Sequence, residues 1–302
     1  SLSKFDNLVE GFLPQITPWR ESAKGEKYDE AFRSKFALNA QNNMKTPQYL
    51  YQSLMPFPKP YFDILDNAGS VSMLPGFING ISNVYTMDEV YRNHEYVIGY
   101  KGDLYPSIAM KTFLIANNNP QMIVSDKLIE FPELKSTIFQ SIVPIKFYKF
   151  TQEGYSHKKF SAIDIMDSFD NIQAGKKPII EPEIFKDKIV VIGANVPTGT
   201  GLNDNKNTPM ATNHPGVDIQ ASAIDNILHK DFLKITPHFV NLLIVILGML
   251  IVYTIIRVYD LFKSISLTFS ILTGYLIFSA ICFYFGIVIN VITPVVMFII
   301  TM

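Results

Sequence analysis

The chain has 302 residues, a formal net charge of −1 at pH 7, and 48% apolar residues. So even a balance leaves no clustered positive excess, which excludes nucleic acid as a partner. A single cysteine, Cys282, excludes intrachain disulfides and cysteine-based metal sites.

Charge is distributed unevenly along the chain. Of 26 Lys and Arg residues only Arg257 and Lys263 lie beyond Pro237, and of 27 acidic residues only Asp260 does. Two solvents are implied: a water-exposed domain over 1–236 and an apolar segment over 237–302. The chain opens at Ser1 without a charged-then-apolar leader and stops at Met302 inside an apolar run, so a longer protein on both sides is expected.

From the N-terminus, Asp29–Asn42 places Ala31, Phe32, Phe36, Leu38 and Ala40 in a mostly helical pattern. Four prolines between 43 and 60 predict extended or loop structure. Tyr96–Tyr100 reads as a strand that turns at Lys101–Asp103 into a helix over Pro106–Ile115, stopped by Asn117–Pro120. Ser161–Asn171 carries Asp164, Asp167 and Asp170 at threefold spacing on one helical face. A solvated face explains that spacing better than a metal site, because a calcium loop needs ligands at alternate residues and a central glycine.

Lys188–Gly193 (KIVVIG) is apolar and β-branched, which predicts a strand buried on both faces at the centre of a parallel sheet. A long loop from Ala194 to Pro215 follows, then a helix over Val217–Leu228 with Val217, Ala221, Ile224 and Leu228 on one stripe. Alternating strands and helices give an α/β class, a sheet covered by helices.

Phe239–Ile256 holds eighteen residues with one Asn and no charge, and its extension to Tyr259 makes a first membrane span, 239–259. Tyr253, Arg257 and Tyr259 suit an interface. A second span, 265–283, is diluted by Ser266, Thr268, Ser270, Thr273, Gly274 and Ser279, a composition for helix packing. A third, 287–302, follows after three residues and is cut short by the end of the sequence. The first loop carries Arg257 and Lys263 and therefore belongs in the cytoplasm, with 1–236 outside; Lys230 and Lys234 argue the other way.

Several catalytic and cofactor motifs fail. Gly193, Gly199 and Gly201 have neither the G-x-G-x-x-G spacing nor a following Gly-Lys-Ser/Thr. The five histidines (His94, His157, His214, His229, His238) lack metal-ligand spacing, and each reads as an ordinary surface or hydrogen-bonded residue. No G-x-S-x-G element occurs. No catalytic residue, metal or cofactor is assigned.

Phe185–Leu228 resembles the second class of CHASE sensors, the cyclase/histidine-kinase-associated sensory extracellular domains. The resemblance lies in Lys188–Gly193, Asp204, Thr208-Pro209 and Pro215-Gly216-Val217-Asp218-Ile219, and earlier in Tyr105–Ala109 and Phe160–Ile165. Gln220 stands where that family usually has His, and its paired arginines are reduced to Arg92. The resemblance implies an extracytoplasmic sensor in the cell (inner) membrane, multi-pass, lacking its first strand and preceding membrane helix here. It also implies control of a cytoplasmic adenylate or guanylate cyclase, the expected partners being membrane lipid, an extracytoplasmic ligand of unknown class and a second copy of the chain. Alternatives are a histidine kinase, a Ser/Thr kinase, an anchored binding module without output, or a transporter accessory subunit. Asp204, Thr208, Asp218 and Arg92 are the candidates for ligand contact or for structuring the loop, and backbone pinning is the commoner use of Asp204 and Thr208.

Overall fold

The computed structural model describes residues 8–12, 14–15, 38, 40–43, 53–54, 73–77, 90–100, 103–125, 128–139, 142–148, 157–193 and 205–301. The chain separates into two compact units, Ser1–Lys230 and Asp231–Met302.

In the first unit β1 (Leu8–Phe12) pairs in parallel with β5 (Met73–Phe77), and β2 (Pro14–Gln15) pairs antiparallel with β4 (Ser53–Leu54). β3 (Gln41–Asn42) is an edge of the largest described sheet, four strands in the order β11-β10-β9-β3. In it β9 (Ile123–Val124), β10 (Leu128–Phe131) and β11 (Ser136–Phe139) are antiparallel, and β3 joins β9 in parallel. Two further antiparallel pairs are β6 (Asn93–Glu95) with β12 (Ile142–Pro144), and β7 (Val97–Tyr100) with β8 (Asp103–Pro106). The class is therefore mixed helix and strand, with a largest sheet that is mainly antiparallel.

Helix α1 (Ile108–Ala116) starts where Ser107 accepts a hydrogen bond from the Met110 N–H at 3.1 Å, satisfying one of the helix's orphan donors. It ends at Asn117, whose Nδ2 donates to the Phe113 carbonyl; Asn118 and Asn119 then take left-handed backbone, which asparagine tolerates. Phe113 meets Phe131 of β10 at a ring-centroid distance of 5.0 Å, so the helix packs on the four-stranded sheet. β10 shows why that sheet has one wet face: Ile129 and Phe131 are buried while Leu128 and Glu130 are half-buried. Helix α1 also packs against β1, β5 and helix α3 (Gly216–His229).

The helix expected over Asp29–Asn42 is overturned at its C-terminal end. Leu38 and Ala40 are not helical, and Gln41–Asn42 bonds to β9 as a strand; residues 29–37 lie outside the described set. Leu38 N–H instead donates to Leu104 O at 2.7 Å, so non-local pairing wins over local periodicity.

The KIVVIG strand is also overturned. Lys188–Gly193 follows a 3₁₀ turn at Pro182–Phe185, with Asp187 in the left-handed region, and it forms no ladder. Ile192 is 88% exposed, and Ile189 and Val190 are exposed as well. An apolar β-branched run is a strand only where a neighbour offers its backbone, and no described strand lies alongside. Gly193 touches α3 instead, and a Cβ there would come within 2.7 Å of Val217 Cβ.

Helix α2 (Ala162–Gln173) is pinned through buried Ser168. Its hydroxyl donates to Asp164 O at 2.5 Å and accepts from the Ile180 N–H at 2.9 Å, holding the following segment on the helix. In α3 the buried face is not the expected stripe. Val217, Ala221 and Leu228 are half-buried, whereas Ile219, Ala223, Ile224 and Ile227 are buried together with Gln220, Ser222 and Asn226. Asn226 behaves like a strand partner: its Oδ1 accepts from Lys146 N–H at 2.8 Å and its Nδ2 donates to Lys146 O at 3.0 Å.

In the second unit, β15 (Lys234–Ile235) pairs in parallel with β16 (Ile287–Val288). Helices α4 (His238–Val258) and α5 (Leu261–Tyr284) have the length and apolar composition to cross a membrane, and most of their surface is unburied. They approach each other closely enough that only Tyr259 and Asp260 intervene, a shorter link than the sequence implies. Ser264, Thr268 and Ser279 of α5 are buried, while Gly274 has open space beside it.

The third apolar segment, expected over 287–302 and cut short there, does not begin as a helix. Ile287–Val288 is a strand, and Asn290 Oδ1 accepts from the Thr293 N–H at 3.1 Å, starting a new helix, α6 (Ile292–Thr301).

Asn226→Ala leaves both backbone groups of Lys146 without these bonds. Unfolding stability should fall by about 1–3 kcal/mol, measured by thermal or denaturant unfolding of the purified chain in detergent.

Candidate functional site

The site is built by a small hairpin and the helix it launches. β13 (Asn205–Lys206) pairs antiparallel with β14 (His214–Pro215), and Val90 bridges to Asn207, which fastens the hairpin to the domain. Within the turn, Thr208 N–H donates to Ala211 O at 2.9 Å, and Thr208 Oγ1 accepts from Ala211 N–H at 3.2 Å. A threonine hydroxyl thus closes the turn locally, and Asn213 takes positive φ before the strand resumes.

Pro215 leads directly into α3. Its fixed φ of −62° suits the residue before a helix. Asp218 sits in the first turn, where a negative side chain is favoured by the helix dipole. Its carboxylate is nearly fully buried and is held between two imidazoles. Oδ2 lies 2.8 Å from His214 Nε2, and Oδ1 lies 2.9 Å from His157 Nδ1. On the far side of His214, Nδ1 is 2.9 Å from Thr208 Oγ1. Nε2–H of His214 donates to the carboxylate, and Nδ1 pairs with the Thr208 hydroxyl, which also lies 3.2 Å from Ala211 O. Phe147 covers the His214 ring at 5.5 Å.

His157 points outward from the same carboxylate. Its Nε2 is 3.6 Å from Asp225 Oδ2, two turns further along α3, and Asp225 Oδ1 is 3.0 Å from His229 Nδ1. The result is an alternating line, Thr208–His214–Asp218–His157–Asp225–His229, from the buried hairpin to the surface. The hydrogen bond to Asp218 raises the His157 pKa above its ordinary 6.5; partial burial opposes this, and the charges of Asp218 and Asp225 add to it.

Three of these residues share one face of α3. Asp218, Asp225 and His229 are spaced seven and four apart, so at about 100° per residue they fall on one side of the helix, and His214 of β14 stands four residues before the first of them. Sequence reasoning treated the histidines singly and missed this pattern. It also missed His157, which reaches the line only through tertiary structure.

Of the sequence candidates, Thr208 and Asp218 are brought together through His214. Arg92 is exposed, with Nη1 3.4 Å from Val90 O, and Asp204 lies outside the described residues. Asp164 is half-buried, and Asp167 and Asp170 are exposed on α2. Among the described residues no group of three or more His, Cys, Asp or Glu is arranged to hold a metal ion. The line around Asp218 pairs its members one to one and does not converge on a centre.

A second buried histidine behaves in the opposite way. His94 meets the Tyr96 ring at 4.8 Å, its Nδ1 lies 3.3 Å from Tyr91 Oη, and its Nε2 has no hydrogen-bond partner among the described residues. Burial lowers its pKa from 6.5 to about 3. The unfolded chain therefore binds a proton below pH 6.5 that the folded chain refuses until about pH 3, and stability is lost as pH falls through that window. His94→Phe should flatten that acid limb, read as a smaller drop in melting temperature between neutral and acidic buffer than the parent shows.

A family profile described as CHASE2 domain matches residues 12–255. The chain belongs to the CHASE2 family, an extracellular sensory domain family. Neither the curated proteins nor the solved structures give a match.

Proposed function

We propose that this CHASE2 chain is the extracytoplasmic sensor and membrane anchor of a transmembrane receptor. On this reading 1–236 lies outside the cytoplasm and the apolar helices of 237–302 sit in the cell membrane. The observation that carries it is the character of α4 and α5. Two consecutive helices of 21 and 24 residues leave Phe239, Leu250, Phe269 and Phe278 exposed, which water would penalise and lipid would not. A core helix of a soluble protein would bury those side chains. The sensory half of the reading rests on the family.

The output is proposed to be an adenylate or guanylate cyclase that works as a dimer, as the resemblance implies. Catalysis would then belong to another part of the protein, and this chain would set how two copies meet. Packed interfaces switch between discrete arrangements, so a small change at the sensor suffices. The buried hydroxyl residues of α5, Ser264, Thr268 and Ser279, pack the chain's own apolar helices together, as small polar residues do between membrane helices.

Topology is tested with single cysteines in a Cys282→Ser background. Lys177→Cys, on the exposed segment after α2, should react with an impermeant thiol reagent on intact cells. Asp260→Cys, between α4 and α5, should react only after lysis. Labelling of the Asp260 site alone on intact cells would invert the orientation. Output is tested by cyclic AMP and cyclic GMP formation by the full-length protein in membranes; phosphate on histidine in their place would make it a histidine kinase.

A further inference from the structure

The line around Asp218 holds a feature that loop structuring does not require. His214 and Thr208 already give the buried carboxylate a partner, yet a second imidazole is brought from residue 157 to its other oxygen. That ring also faces Asp225. Residues 218 and 225 are seven apart, about 10 Å along the axis at 1.5 Å per residue. One ring with a nitrogen at each end therefore bridges two carboxylates two turns apart. We propose that His157 is a proton-operated clamp on α3: charged, it ties Asp218 to Asp225, and neutral, it lets Asp225 go.

The chemistry follows from the donor inventory. A charged imidazole carries N–H at both nitrogens, so Nδ1 donates to Asp218 and Nε2 faces Asp225 as a donor. After loss of the Nε2 proton to water, Nδ1–H still serves Asp218. The bare Nε2 lone pair then faces the Asp225 carboxylate, and attraction becomes repulsion. Asp225 keeps His229, an exposed pair at 3.0 Å that stabilises little.

Other groups near the ring do not remove this dependence. From α3 it is faced by Asp218, Asp225 and, through Asp225, His229. From the segment after β12, the Tyr148 ring meets it edge-on at 6.2 Å, and Lys146 lies two residues before that. From the hairpin come His214, on the shared carboxylate, and Lys206, its ladder partner. Lys158 and Lys159 follow in the chain. The two carboxylates on α3 favour the charged ring and partial burial opposes it, and the ring is held above its ordinary 6.5. The clamp's contribution is therefore complete below pH 6.5 and is lost as pH rises through the higher folded value. Residue 157 is half-buried, so protons reach it from solvent.

Its use as a signal rests on the sensory reading above; the clamp itself is a property of the folded domain. The full chain in detergent is compared with His157→Gln, Asp225→Asn and Asp218→Asn. Hydrogen exchange at the imidazole C2 position, read by mass spectrometry, gives the His157 midpoint. Amide exchange over α3, corrected for intrinsic rate, gives the clamp. The expected result is a midpoint above 6.5 that Asp225→Asn lowers. Protection of α3 should fall with rising pH by up to about tenfold per pH unit, the limit for release of one proton, and stay flat in His157→Gln. Asp218→Asn should lower the midpoint further; should that buried change unfold the domain, Asp225→Asn still decides. Parallel pH profiles in parent and His157→Gln, or a midpoint indifferent to Asp225→Asn, overturn the proposal. Cyclic-nucleotide output of the full-length protein is measured over the same range. A clamp that opens with pH while output stays constant supports the clamp and removes its use as a signal, leaving the sensory reading to a ligand.

Discussion

A carboxylate with its side chain 2% exposed sits at the start of α3, and it must be satisfied there. Leaving an ionised group buried without partners costs several kcal/mol, so the surroundings of Asp218 are constrained in a way that an apolar contact is not. Two imidazoles meet that demand, and each imposes a further structural condition. His214 needs β13 and β14 in register and the Thr208 turn closed, so that its second nitrogen has a partner. His157 needs the segment before α2 brought against the helix. The hairpin, the start of α3 and the approach to α2 are thus consequences of one charge.

Polar bonds also hold the rest of α3. Tyr96 donates its hydroxyl to Ala223 O at 2.9 Å, deep in the domain, and Asn226 takes both backbone groups of Lys146. Apolar packing is present in Ile219, Ala223 and Ile227, but it is not what fixes the helix in azimuth. Dispersion and burial tolerate sliding, whereas directional bonds from buried Tyr96, Asn226 and Asp218 specify one rotation and one register. That explains why the apolar stripe through Val217, Ala221 and Leu228 ends up half-buried.

This division separates what could be read from the sequence from what could not. Local signals survived in outline: the asparagine stop of α1, a helix over most of 161–171, the helix that follows Pro215-Gly216 and the first long apolar helix all depend on neighbouring residues, whereas Pro106, expected to open α1, instead closes β8. The strands of 123–139 went unread because Leu128–Phe131 (LIEF) alternates in burial and not in sequence, and short strands gain identity only from partners. KIVVIG failed for the converse reason, having the composition of a central strand without a described ladder. At the site, the four-seven-four spacing of His214, Asp218, Asp225 and His229 was present in the letters. The arrival of His157 from sixty-one residues away was not.

The two titrating histidines bear on the same helix from opposite directions of pH. His94 stacks on Tyr96, and Tyr96 bonds to α3, so charging His94 would put an unpaired cation beside the contact that anchors the middle of the helix. Acid therefore works against α3 through its buried side. His157 works at its outer side and holds best when charged, so alkali works against α3 there. Their windows meet at 6.5, the ordinary imidazole value from which burial moves one down and carboxylates move the other up. At pH 6.5 His94 is uncharged and the raised His157 is mostly charged, so α3 is gripped on both faces there. Residues 231–237 carry the chain from that helix into α4, which makes the grip on α3 the last feature of the domain before the apolar helices begin.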